Sequence, residues 1–192
     1  ATLVAELTDG KRIYGEEAID LPRGTQRERI KDVFLVPHHH DSISVYPPVL
    51  KAIEKADYIF IGPGDLFTSI IPNLIVPGVK DALLRTRAKI YYTINIMTKF
   101  GETHNFSGQD FVTRLEDRMG RKVDGIIGNL TCPDANVLKT YHEQKSDFVS
   151  MDPSDPCWQN RETHLTDLLD ANATIVRHDP VKLARMIRKI IN

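Results

Sequence analysis

The stretch Tyr58-Ile59-Phe60-Ile61-Gly62-Pro63-Gly64-Asp65 decides the fold. Four consecutive apolar residues stopped by Gly-Pro-Gly are the pattern of a strand covered on both faces, as in a parallel sheet. Upstream, Pro47-Pro48 opens a helical segment carrying Val49, Leu50, Ile53 and Ala56, since proline is favoured in a helix's first turn. Downstream, the proline-interrupted stretch from Leu66 to Pro77 leads into a helix with Val79, Ala82, Leu83 and Leu84, and Lys89 to Ile96 reads as the next strand. Ser107 with Asp110 is an N-cap and first-turn acid, which predicts a helix through Phe111, Val112, Leu115 and Met119. Gly125 to Leu130 is a further strand, and Pro133 starts a helix with Val137, Leu138 and Tyr141. Phe148 to Met151 and Ala173 to Arg177 read as short strands, and Asp179-Pro180 begins a terminal helix. Strands alternating with helices predict an α/β fold with a mostly parallel sheet flanked by helices.

Ahead of this repeat, Leu3, Ala5 and Leu7 alternate with Val4, Glu6 and Thr8, and Asp9-Gly10 separates them from Arg12-Ile13-Tyr14-Gly15. Asp-Gly between alternating runs predicts a β-hairpin over residues 1–20. Val33 to Pro37 is a short strand of buried type, and the βα units run over 33–192 within one domain of 1–192. Asp152 to Thr163 is the expected long loop, because its prolines oppose regular structure.

Composition bounds the function classes. The 192 residues are 41% hydrophobic and 27% charged, with a net charge of −1, which excludes a disordered chain. Near-neutral charge argues against nucleic acid as a partner. No apolar run approaches the roughly 20 residues of a membrane span. Cys132 and Cys157 form no C-x-x-C pair, so a reducing cytoplasm is the expected compartment.

Ligands of open α/β sheets bind at the carboxyl ends of strands, near a reversal in strand order. Four polar segments follow strands: Gly62 to Ser69, Asn95 to Thr103, Asn129 to Thr131, and Asp152-Pro153. In the first, two glycines around a proline permit a sharp turn and close ligand approach, Thr68 and Ser69 add hydroxyls, and a helical turn here can aim N–H groups at an anion. The same residues also serve a tight β–α turn with no ligand. Asp65 repels phosphate unless a cation bridges them, or unless it caps the following turn or accepts from a ribose hydroxyl. In the second segment, Asn95 can read a base or sugar edge, Lys99 can neutralise phosphate, and Glu102 can bind metal or a sugar hydroxyl; a solvated, capped connection is the alternative. His38 and His40 with Asp41 could share an ion, but no fourth ligand with characteristic spacing follows, so no metal site is assigned. Cys132 at a helix start is either a buried structural cysteine or a thiol of lowered pKa, and Trp158 is either a loop anchor or a stacking platform. No nucleophile–base pair can be argued.

These residues bring the chain close to a known family. Ala56-Asp57, Gly62-Pro63-Gly64 with Leu66 and Thr68-Ser69, Pro72-Asn73-Leu74, Val76-Pro77-Gly78, Asn95, Met97-Thr98 and Gly101-Glu102-Thr103 resemble the CofD-like family, in particular its gluconeogenesis-factor (YvcK-type) branch. The opening Leu3 to Leu7 with Asp9-Gly10 matches that family's hairpin. The resemblance implies a Rossmann-like fold and a ligand that is a nucleotide or nucleotide sugar. One branch transfers a phospholactyl group from a guanosine diphosphate derivative to a deazaflavin, with Mg²⁺ as the expected cofactor. The other, which this chain is more similar to, binds UDP-sugars and is associated with carbon metabolism, cell-wall supply and cell shape.

On this resemblance the preferred expectation is a regulatory binding protein, with a CofD-like transferase or a purely structural fragment as alternatives. The expected ligand residues are Gly62, Gly64, Thr68 and Ser69 as donors, Asn73 and Asn95 as orienting amides, and Thr98 and Glu102 as ribose, sugar or metal contacts, with Asp65, Gly101 and Thr103 beside them. Three departures stand out: the family usually has serine at Asp65 and tyrosine at Phe67, and commonly Gln-Pro where Lys99-Phe100 stands. Family members also begin with a strand and glycine-rich phosphate turn ahead of the hairpin. The resemblance therefore implies truncation at the N-terminus, an open apolar sheet edge, and association into a homo-oligomer.

Overall fold

The structure, a computed structural model, describes residues 1–21, 27–39 and 42–192. Its first layer is antiparallel. Strands β1 (Thr2–Leu7) and β2 (Arg12–Tyr14) form the expected hairpin across Asp9-Gly10, with Ala5 opposite Ile13. The chain then turns into a short helix, α1 (Glu16–Asp20), whose Ile19 is fully buried. Strand β3 (Ile30–Val36) returns along the other edge of β1, giving the order β2-β1-β3. The run around Val33 is thus a strand, as expected, but it joins the antiparallel sheet and not the βα repeat.

The second sheet is parallel, in the order β4-β5-β6-β7, with β4 at Tyr58–Ile61, β5 at Lys89–Thr93, β6 at Gly125–Asn129 and β7 at Glu162–Thr166. The connections carry α3 (Ile71–Leu74), α4 (Val79–Arg85), α5 (Gly108–Met119) and α6 (Ala135–Glu143), while α2 (Pro47–Lys55) precedes β4 and α7 (Pro180–Ile191) closes the chain. Strand alternation divides the side chains between two cores. Ile59, Ile61, Ile90, Tyr92 and Ile126 face Ile71, Leu83, Phe111 and Leu115 of the connecting helices. Phe60, Tyr91 and Ile127 face the other way, onto Leu183, Met186, Ile187 and Ile190 of α7. The antiparallel sheet enters the first core through Leu3, Ala5, Leu7 and Val33. The α/β expectation, hairpin included, is therefore met.

Caps fix the helix ends. Ser107 and Asp110 form a reciprocal capping box at the start of α5, as their spacing predicted. Asp179 accepts from the Val181 and Lys182 N–H groups at the start of α7.

Several local expectations change. Strand β4 is half-buried, not covered on both faces, because it is an edge strand among the described residues. Phe148 to Met151 makes only a single bridge, Met97 with Phe148, and Ala173 to Arg177 forms no strand. Strand β7 begins inside the segment expected to be loop, which also holds a 3₁₀ turn at Pro156–Trp158. Trp158 anchors that loop: it is buried and its Nε1 donates to the Asp152 carbonyl at 2.8 Å. Cys132 is exposed, ahead of α6, so it is no core residue. His38 lies against the Thr2 hydroxyl at 2.9 Å, whereas His40 and Asp41 fall outside the described residues. No single described helix is long and apolar enough to cross a membrane.

Candidate functional site

Strands β4 and β5 end side by side, and the two segments that follow them meet. The Gly62–Pro63 peptide is cis, and Gly62 has a φ of +80°. A side chain there would meet the Thr93 carbonyl oxygen at 2.9 Å, so the turn lies directly against the end of β5. After the turn, the Asp65 carbonyl accepts from the Ser69 and Ile70 N–H groups, winding Leu66–Ile70 into one π-helical turn that buries Leu66, Phe67, Thr68 and Ile70. Beyond β5, Thr98 is pinned twice to Asp147: its N–H donates to the Asp147 carbonyl, and its hydroxyl accepts from the Asp147 N–H, each at 2.8 Å. The Lys99 N–H donates to the Thr103 hydroxyl at 3.0 Å, and the Lys99 carbonyl accepts from the Glu102 and Thr103 N–H groups. The backbone around Lys99 is therefore fixed by both neighbouring residues and its own turn.

The Lys99 side chain gathers three acids. Its Nζ contacts Asp20 Oδ1 from α1, Asp65 Oδ2 at 2.7 Å and Glu102 Oε1 at 3.0 Å. Thr68 supports the ring by placing its hydroxyl 3.4 Å from the same Asp20 oxygen. Glu102 is only 1% exposed, and burial pushes its carboxyl up to about 7 despite the opposing ammonium. Asp20 moves the other way, held below the usual carboxylate range by the Lys99 hydrogen bond. Acids at positions 20, 65 and 102 place their oxygens within 4.8 Å of one another, so this is the group of described residues able to hold a cation. Arg27 lies behind it, donating to the Ala18 and Ile19 carbonyls, with Nε and Nη2 buried and unpartnered.

Next to this ring, a cleft of about 490 Å³ opens at the carboxyl ends of β4 and β5. One wall is Pro63, Gly64 and Asp65, the floor runs from Asn95 to Lys99, and the far wall is Tyr141, Gln144, Ser146 and Val176 to His178. Strand order does not reverse within the described sheet, so the cleft is set by these loops and not by a switch point. Two of its lining residues hold a buried polar atom without a hydrogen-bond partner, Asn95 Oδ1 and His178 Nε2. Burial lowers the His178 pKa, so its imidazole is neutral near pH 7. Arg177, with 61% of its side chain exposed, is 3.5 Å from Asp170 and supplies a positive charge to the cleft lining.

The expected ligand residues divide accordingly. Gly64, Asp65, Asn95 and Thr98 line the cleft. Gly62 shapes it from behind, against Thr93. Thr68 faces Asp20, and Glu102 and Thr103 are buried in the turn that carries Lys99, where the Gly101 N–H donates to His104 Nδ1 at 3.1 Å. Ser69 is exposed outside the cleft, and its carbonyl holds the Asn73 amide at 2.6 Å. Asn73 borders a separate apolar groove between α2 and β4, lined by Val45, Val49, Ile59 and Val76. Sequence reasoning missed Asp20, Arg27, Tyr141, Arg177 and His178. No local pattern marks them, because each reaches the site from a distant part of the chain. Two of the departures from the family's usual motif, Asp65 and Lys99, prove to be partners in one ion pair.

Comparison with known proteins agrees with this architecture. The family model described as "2-phospho-L-lactate transferase CofD" matches residues 1–169. The chain belongs to the CofD family. Among curated members, "Putative gluconeogenesis factor" of Thermotoga maritima is 40% identical over 99% of this chain and 59% of its own length. "Gluconeogenesis factor" of Bacillus subtilis is 32% identical over 96% of this chain and 56% of its own. A crystal structure of a UPF0052-family protein from Bacillus halodurans superposes with a TM-score of 0.85 at 31% identity, covering 97% of this chain and 58% of that one. This CofD-family chain thus spans less than two thirds of the length of the relatives it matches.

Proposed function

We propose that the chain is a regulatory nucleotide-sugar-binding module of the gluconeogenesis-factor branch, acting in cytoplasmic carbon metabolism, cell-wall supply and cell shape. The cleft forms part of a UDP-sugar site. The observation that carries this reading is a cleft beside a glycine turn that is bordered by Asn95 and His178, two residues that each hold a buried polar atom without a hydrogen-bond partner, Asn95 Oδ1 and His178 Nε2. Unsatisfied buried polar atoms are costly unless a ligand or water completes them, and the volume falls in the range of small-ligand sites. Charge orients the ligand. Lys99 is already surrounded by three carboxylates, so the Asp65 end suits sugar or ribose hydroxyls that donate to oxygen. The diphosphate belongs at the Arg177 end. The uridine and the sugar identity come from the family resemblance.

Titration calorimetry of the chain with UDP-glucose, and with GDP as a contrast, tests this. Asn95→Ala removes one hydrogen bond to the ligand, for an expected loss of about tenfold in affinity. Arg177→Ala weakens binding by at least as much. Affinity unchanged in both variants rejects the site.

A transferase is the second reading. The family description names that activity, and the acidic ring suits the Mg²⁺ such a reaction uses. Turnover of a guanosine diphosphate donor with a deazaflavin acceptor, lost on chelation, would establish it in place of the regulatory role.

A further inference from the structure

The parallel sheet has two open edges among the described residues, and they differ in kind. Strand β7 is mostly polar, and its Glu162 is paired with Lys89, which blunts that edge against further pairing. Strand β4, Tyr58-Ile59-Phe60-Ile61, carries no charge, proline or break in register. The Asp57 carbonyl accepts from the Lys89 N–H, and Tyr58 stands opposite Lys89 in the parallel pairing. Asp57, Ile59 and Ile61 therefore turn their peptide groups toward β5, while the N–H and C=O groups of Tyr58 and Phe60 point away from the sheet. Both faces beside this edge are apolar. On one, Ile59 and Ile61 floor a groove of about 400 Å³ walled by Val49 and Ile53 of α2, a helix with no buried residue. On the other, Tyr58 stacks on Phe60 with ring centroids 6.4 Å apart and is 37% exposed. We propose that this edge is a dimer interface, in which β4 pairs antiparallel with β4 of a second copy of the chain and joins the two parallel sheets into one.

The register follows from the strand itself. A twofold axis perpendicular to the sheet keeps each side chain on its own face, and residues with outward peptide groups must meet one another. Tyr58 therefore lies opposite Phe60 of the copy, each exchanging both hydrogen bonds, with Ile59 opposite Ile59 on the axis. Setting Phe60 opposite itself would place Tyr58 against Gly62, whose φ of +80° takes it out of the extended strand. The favoured register makes aromatic cross-strand pairs on one face, which stabilise antiparallel sheets. On the other face it brings the two α2 helices together over the Ile59 pair and covers Val49, otherwise 41% exposed, in each copy. The strand is thus self-complementary in hydrogen bonds and on both faces, which is what selects a second copy as its partner. A net charge of −1 per chain sets up little repulsion between copies.

Sedimentation velocity of the chain over a concentration series, with no nucleotide present, tests this separately from the UDP-sugar assay. We expect a concentration-dependent dimer. Tyr58→Lys puts a charge into the aromatic pairs of both strands and weakens the dimer about a hundredfold, with the circular dichroism unchanged. In a background of Cys132→Ser and Cys157→Ser, Ile59→Cys cross-links the copies on oxidation, because its Cα atoms face each other about 4.5 Å apart across the axis, within disulfide range. Ile61→Cys, displaced along the strand from its copy, does not. A chain that stays monomeric overturns the proposal and leaves the edge to a strand of another protein. A dimer untouched by a folded Tyr58→Lys variant overturns it equally, as does an Ile59→Cys chain that cross-links no better than Ile61→Cys. If Tyr58→Lys does not fold, the cross-linking decides.

Discussion

Replacing Arg161 with Met should destabilise the chain by about 3 kcal/mol, the lower end of what breaking a buried ion pair costs. Arg161 and Glu116 are 10% and 14% exposed, and the guanidinium reaches both carboxylate oxygens, Nη2 to Oε1 at 2.9 Å and to Oε2 at 2.8 Å. Its Nη1 also donates to the Cys157 carbonyl, so one side chain fastens the Pro156–Trp158 turn and the start of β7 onto α5. Methionine keeps most of the stem but leaves Glu116 facing the protein interior with only the Val123 N–H, at 2.8 Å, for support. For a domain of this size the melting temperature should fall by roughly 10 °C. The double variant Glu116→Leu with Arg161→Met separates charge from packing. It should regain much of the loss, because it leaves no unpaired charge behind. If the double variant is no more stable than the single one, the loss lies in packing and the ion-pair argument fails.

Legibility in the sequence followed the strength of local pattern. The parallel sheet could be read because β4, β5 and β6 carry apolar runs bounded by Gly, Pro or polar residues, although only β5 and β6 have the two buried faces that demand such runs. Strand β7 could not, because Glu162-Thr163-His164-Leu165-Thr166 is mostly polar, as suits an edge strand among the described residues, and is preceded by two prolines and two aspartates that read as loop. Phe148 to Met151 misled in the opposite sense. Val149 and Met151 are buried like strand residues, yet they pack from a loop. The hairpin was legible from Asp9-Gly10, whereas the antiparallel partnership of β3 with β1 depends on a contact across the chain that no short window encodes.

The site divides along the same line. The Gly62 turn and the Asn95–Thr103 segment are local signals, while Asp20 reaches Lys99 across 79 positions. Asp65 and Lys99 show why departures from a family motif are best read in pairs. Either alone looks unfavourable: a carboxylate at a presumed anion site, or a lysine in place of an uncharged residue. Together they form a 2.7 Å ion pair that moves the negative pole of the site to the glycine-turn side and leaves the positive pole at Arg177.

Gly62→Ala should destabilise the chain by about 2–3 kcal/mol and reduce UDP-sugar affinity more than tenfold, through two separable effects. The first is conformational: at a φ of +80°, an L-alanine pays about 1 kcal/mol that glycine does not. The second is contact. The new Cβ would approach the Thr93 carbonyl to 2.9 Å, and that oxygen belongs to the backbone at the end of a central strand, so it cannot rotate away. The turn must move instead, carrying Pro63, Gly64 and Asp65 off the cleft wall. Gly10→Ala isolates the first effect, since Gly10 has a φ of +83° with nothing within 4 Å of an added Cβ, in a hairpin loop that does not border the cleft. Denaturant melts of both variants and calorimetry with UDP-glucose should show Gly10→Ala losing only the conformational share of stability, with ligand affinity intact. Equal stability losses would mean that the approach of Gly62 to Thr93 contributes nothing. A full-affinity Gly62→Ala would mean that the glycine turn does not shape the site.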